Sequence, residues 1–220
     1  MRVLWFIAIL LSIVGSIGEG WAEEALGMRP LLTIARKDLP AILPSDCHIL
    51  LDPRPIEEFL EALDGRPPNW DVVYGRGHHD SGLDERLFSL NRERDAKRAG
   101  KEALQWKMAF LWSGELSHYD PTAGGFGLAI GPIFTPTRWG VIRFKPEEVP
   151  GNLVVIPEPS IRDVLRRQLE AGRKVDIDIV MVGKLIPDES LVYDFSHDEE
   201  GVGIIMPVVR IERLEYLLVR

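Results

Sequence analysis

The sequence predicts an α+β chain: a helical segment over residues 23–100, then a small closed antiparallel β-barrel with one helix over residues 104–220. Three observations point there. In residues 172–186, GRKVDIDIVMVGKLI, Val175, Ile177, Ile179, Met181 and Leu185 recur at every second position, with Gly183 in the remaining slot. That is the period of a strand with one buried face. Strand-like sequence flanks this stretch on both sides, broken by one amphipathic helical run. Ahead of residue 100 the apolar residues recur at intervals of three and four, which is helical spacing.

Residues 1–22 read as a signal peptide. Arg2 supplies the positive charge, residues 3–17 are a nearly unbroken apolar run, and Gly20-Trp21-Ala22 places small residues where a signal peptidase reads. Cleavage is expected after Ala22. The alternative is a retained anchor, but the run is shorter than the roughly 20 apolar residues a spanning helix needs. The expected destination is a bacterial periplasm or beyond, with no membrane span after cleavage.

Residues 23–44 carry Pro30, Pro40 and Pro44 and read as an extended entry segment, followed by a short buried strand at 49–51. Pro55 suits a first helical turn. Ile56, Phe59, Leu60 and Leu63 then share one helical face, and Gly65 is the stop. Residues 75–82, GRGHHDSG, form a loop. Ser81 and Asp84 have capping-box spacing for a second helix to about Ala99, with Leu83, Leu87 and Leu90 inward. Its second half is almost wholly charged and is expected to face solvent.

From Leu104 the period becomes two. Met108, Phe110, Trp112, Leu116 and His118 share one face of a long strand, with Gly114 in phase at a bulge or bend. Residues 119–125 have turn chemistry, 126–130 form a second strand and 139–144 a third. Ser160 and Asp163 again have capping-box spacing, for a helix with Ile161, Val164, Leu165 and Leu169 as its stripe and Gly172 as its stop. The strand of residues 175–185 follows, then a strand at 191–195, an acidic loop at 197–200 and a last strand over 203–213. Strand, strand, strand, helix, strand, strand resembles the element order of a five-stranded OB barrel. Residues 153–156 and 191–195 stand outside that order as additional strands. A sandwich capped by one helix is the alternative architecture.

Composition bounds the function. Hydrophobic residues make up 45% and charged residues 27%, a globular profile. The net charge of -8 argues against a general nucleic-acid binder, which needs basic surface to displace counterions. Cys47 is the single cysteine, so no intramolecular disulfide forms and stability must come from the core. An inert, buried thiol is expected there.

Four sets of residues carry candidate chemistry. His78, His79 and Asp80 offer imidazole and carboxylate ligands for a divalent metal, though without the spacing that sets two ligands on one face. His118 and Asp120 could serve as a base and its orienting carboxylate, with no nucleophile motif beside them. Asp176 and Asp178 share a strand face and read as its solvated side. For binding, Arg162, Arg166 and Arg173 form a local basic patch in an acidic chain, and Trp139 offers an aromatic face. Trp139 in ordinary core packing is the competing reading. Together these predict a non-enzymatic envelope protein that binds a protein or small ligand. The alternative is a metal-dependent exported hydrolase built on His78, His79 and Asp80; no other cofactor is implied.

Overall fold

The computed structural model describes residues 27–76, 80–195 and 202–219. The signal-peptide reading, His78, His79 and the acidic loop at 197–200 therefore lie outside the described residues. The strands are β1 (Met28–Ile34), β2 (Cys47–Ile49), β3 (Lys107–Asp120), β4 (Gly125–Pro132), β5 (Thr135–Thr137) and β6 (Gly140–Ile142). They continue with β7 (Lys145–Glu147), β8 (Val154–Ile156), β9 (Asp176–Leu185), β10 (Leu191–Phe195) and β11 (Gly203–Val219). The helices are α1 (Pro53–Asp64), α2 (Trp70–Tyr74), α3 (Leu83–Arg98) and α4 (Pro159–Glu170).

Six strands close a barrel in the order β1-β8-β4-β3-β9-β11 and back to β1. The contacts of β1 with β8 and with β11 are parallel; the other four are antiparallel. β9 behaves as its alternation predicts. Val175, Ile177, Ile179, Met181 and Leu185 belong to the main core, while Val180 and Val182 face outward. That outer face is covered as well, by Leu39 and Leu43 in a second cluster with Ala109 and Leu217. Gly183 is bare for a reason: a Cβ there would collide with the carbonyl oxygen of Arg210 on neighbouring β11.

The closure differs from the expected five-strand order in two places. The supposed entry segment contains a stave, β1, whose Leu31 is buried in the core. Its partners are parallel and distant in sequence, a pairing that leaves no local turn signal. The expected third strand at 139–144 is not a stave. It splits into β6, which pairs with β5 and β11 beside the barrel, and the start of an irregular stretch before β7. The three-residue β8 takes the place in the ring instead.

Helix α1 follows its sequence signals. Ile56, Phe59, Leu60 and Leu63 all enter the barrel core, and Gly65 ends the helix at a positive φ of 77°. Phe59 packs on Trp106, just before β3, so α1 sits near the start of that strand. α4 sits at its other end and contributes Leu165 to the same core. Neither expected capping box forms: α3 and α4 have no side-chain cap. Asp80 takes the role before α3, its Oδ1 accepting from Gly82 N at 2.9 Å. α2 has one turn, too few residues for periodicity to show; Asn69 caps it by accepting from Val72 N at 3.2 Å.

The charged half of α3 overturns the expectation that it faces solvent. Arg94 and Arg98 point inward and are buried. Arg98 grips Asp64, at the end of α1, through Nε at 2.6 Å and Nη2 at 2.7 Å, and its side chain is 2% exposed against 0% for Asp64. Arg98 Nη1 also donates to Asp95 at 2.6 Å and to the Leu191 carbonyl at 3.1 Å. Arg94 Nη1 donates to the Arg66 carbonyl at 2.7 Å, and the Tyr193 hydroxyl donates to Asp64. Burial works against the charge on Arg98, but the hydrogen bonds and charge of Asp64 outweigh it and hold its proton more firmly than usual. Burial, then Asp64, pushes the Tyr193 hydroxyl well above its ordinary value, so it stays a donor.

Removing one partner of such a pair strands the other charge in the interior. Arg98→Met is expected to lower unfolding free energy by about 3–5 kcal/mol, read by denaturant titration. Adding Asp64→Leu should recover only a small part of that loss, because it removes the stranded carboxylate but leaves buried Arg94, 3.7 Å from Asp64 in the native protein, without an acid. A cost below about 1 kcal/mol for Arg98→Met alone would mean the pair behaves as a surface contact.

Candidate functional site

β3 outruns its partner. Its ladder with β9 begins at Lys107↔Lys184 and ends at Glu115↔Asp176, with Leu116 N donating to the Val175 carbonyl at 2.9 Å as the last rung. Beyond that the chain on the β9 side has turned away through Gly172, whose φ of 71° ends α4. Residues 117–120 therefore carry β4 on one side and no strand on the other among the described residues.

A bulge falls in this overhang. The β3–β4 register shifts between Leu116 and Tyr119, and the extra residue reverses the alternation. His118, inward by simple alternation, is exposed. Tyr119 turns toward the core instead and packs edge-on against buried Phe126, with ring centroids 5.1 Å apart. Gly127 lies opposite, and a Cβ on it would meet Ser117 Oγ at 2.6 Å. The bare glycine leaves that hydroxyl its place. Asp120 starts the following turn: its Oδ1 accepts from Thr122 N at 2.7 Å and Ala123 N at 3.3 Å. Those backbone hydrogen bonds hold its carboxyl below the usual range, so the charge is spent on the turn.

Across from the overhang runs the last turn of α4. Between them lies an open groove of about 640 Å³, walled by Tyr119, Pro121 and Leu169 with buried Phe126 behind them, and edged by Ser117, His118, Arg166 and Glu170. Arg166 Nε sits 3.1 Å from Glu170 Oε1, which leaves its outer guanidinium nitrogens for other partners. The groove thus offers an apolar bed, two hydroxyls, an imidazole, a guanidinium and a carboxylate. That mixture suits a ligand with both apolar and polar parts.

The sequence candidates divide. Arg166 and His118 meet in this groove. Arg162 lies on the same helix, half-buried, and Arg173 is exposed just after it. Trp139 is 0% exposed, so it is a core side chain and presents no face to a ligand. Asp176 is exposed as predicted, whereas Asp178 is half-buried and its carboxyl is pushed up by burial. Cys47 is pushed up to about 11, chiefly by burial and then by Asp46, which keeps the thiol protonated. Asp80 is fully engaged. Besides Gly82, it accepts from Arg76 N at 3.0 Å, and Arg86 Nη2 lies 3.1 Å from its Oδ2. Among the described residues no group of three or more His, Cys, Asp or Glu is placed to share a metal ion. Ser117, Phe126, Leu169 and Glu170 escaped sequence reasoning, because only the bulge and the helix placement bring them together.

No family model, no curated protein and no solved structure matches this chain.

The contacts of Asp80 make a pH prediction. Hydrogen bonds from Gly82, Arg76 and Arg86 lower its pKa from 3.8 to about 2. A carboxylate depressed in the folded state adds stability that is full above its unfolded pKa and is lost as pH falls through the folded one. Asp80→Asn should therefore lower the melting temperature at neutral pH, and its deficit against the native protein should shrink between about pH 4 and pH 2. A deficit unchanged across that window would sink the assignment of Asp80 as a charged cap.

Proposed function

We propose that this is an exported bacterial envelope protein whose barrel serves as a binding module, taking a protein segment or small ligand in the groove between α4 and the end of β3. The supporting observation is the joining, at one barrel mouth, of an apolar wall with four polar side chains that have no role in the core: Ser117, His118, Arg166 and Glu170. Export to the periplasm or beyond rests on the leader-like residues 1–22. Among the described residues no helix is long and apolar enough to cross a membrane.

The contacts on the carboxylates favour binding over hydrolysis. Asp120 is taken up by its turn and Asp80 by its loop, so neither stands ready as an orienting or ligating group. His118 sits exposed at a groove rim, where an imidazole can accept or donate to a ligand.

The test uses the mature protein recovered from its own host's envelope fraction and weighed by native mass spectrometry. A co-purifying partner or ligand is expected on the native protein. Arg166→Glu combined with Leu169→Asp should reduce its occupancy at least tenfold, consistent with about 2 kcal/mol or more for a central contact. Leu169 is half-buried against the main core, so the double variant's melting temperature is measured alongside. Arg166→Glu alone, at an exposed position, should melt within a few degrees of the native protein and still lower the occupancy. Undiminished occupancy would place the binding surface elsewhere.

A further inference from the structure

The groove has a backbone wall as well as side chains. Among the described residues, 117–120 of β3 form a strand with one unoccupied edge, four residues or about 13 Å long at roughly 3.3 Å per residue. Among the described residues two other short edges are blunted, although β2 is not. β5, paired only with β6, carries Pro136, and β7, paired only with β11, carries Lys145 and Pro146. Proline and lysine are the usual devices that keep a strand edge from recruiting another chain. The overhang reads Ser-His-Tyr-Asp and has neither. Instead of a blocking residue it faces a groove, with Leu169 and Arg166 on the far side.

From this we infer that the groove binds an extended peptide segment that adds a strand to the free edge of β3, with an acidic side chain of the peptide meeting Arg166. The inference rests on the binding reading above and names the chemistry of its ligand. Main-chain hydrogen bonds to the overhang supply affinity that any sequence can give, and alternate side chains supply the choice. One set lies against Tyr119, Pro121 and Leu169 and is apolar. The charge preference follows from α4 and the loop after it, where Arg162, Arg166, Arg167 and Arg173 stand against Asp163 and Glu170. Within a chain of net charge -8, this is a local surplus of guanidinium groups, suited to a carboxylate.

A phage-displayed library of decapeptides selected on the mature protein tests this. The expected binders alternate apolar residues with at least one Asp or Glu. A synthetic binder should lose at least tenfold in affinity when alternate backbone amides are N-methylated, which removes strand donors and leaves every side chain. Arg166→Glu should weaken it by a similar factor, and replacing the peptide's acid by lysine should restore affinity to that variant. Amide exchange at residues 117–120 should slow in the complex. Failure to select any peptide that depends on the groove overturns the inference. N-methylated peptide binding as well as the parent also overturns it, while continued sensitivity to Arg166→Glu would keep the groove as a binding site. If the envelope partner's occupancy ignores the groove variants, the binding reading itself fails.

Discussion

A barrel exists only if its first and last strands pair, and here that closure rests on β1. It lies between β8 and β11 and runs parallel to both, so the ring is sealed by contacts between residues 28–34 and chain more than a hundred residues away. Local features are shaped to allow it. The Tyr216 hydroxyl on β11 donates to the Gly27 carbonyl at 2.8 Å, tying the strand entry to its partner. Gly27 has no side chain to spare: a Cβ there would run into the Asn152 carbonyl oxygen ahead of β8. Leu31 then supplies β1's contribution to the shared core. Without these contacts β8 and β11 would both present open edges, and the interior faces of β9 and β3 would lose a wall.

The helical layer is fastened to this ring by polar contacts as much as by apolar ones. α1 inserts four large side chains into the core, but α3 has few apolar residues to offer and is held through Arg94 and Arg98. The Asn91 side chain pairs with both backbone groups of Tyr193, at 2.9 Å to its carbonyl and 2.8 Å from its N–H, as a neighbouring strand would. α3 thereby covers the edge of β10 that faces away from β11. α2 adds a steric lock: Trp70 Nε1 donates to the Trp139 carbonyl at 2.6 Å, and its ring lies where any side chain on Gly203 would stand. Buried ion pairs are poor sources of net stability but costly to break, so their role here is to fix one arrangement of α1, α3 and β10.

What could be read from the sequence follows a physical division. β9 was legible because each residue's burial depends on its own position in a period of two. α1 was legible for the same reason, with a period of 3.6. β1 was not, since nothing in MRPLLTI records which distant strands will flank it. Arg94 and Arg98 misled because a charged residue is exposed unless a buried partner exists, and Asp64 lies thirty residues upstream in a different helix. His118 misled because alternation carries across a strand only until a bulge, and one extra residue reverses every later position. Gly127, one of three glycines in β4, was the available clue: a glycine inside a strand often marks a bulge or a close approach.

The candidate site is also a product of closure. Strands in a barrel must tilt and stagger, so neighbours cannot all end level. β3 has 14 residues and β9 has 10, and the excess emerges at the mouth where α4 packs. The bulge then does two things at once. It sends Tyr119 inward to finish the core against Phe126, and it sends His118 outward to the rim. A strand end with no functional demand is more cheaply shortened, or blunted with proline as β5 and β7 are. Keeping it long, bulged and faced by a basic helix leaves backbone and side-chain groups unspent in one place, which is the condition a binding surface requires.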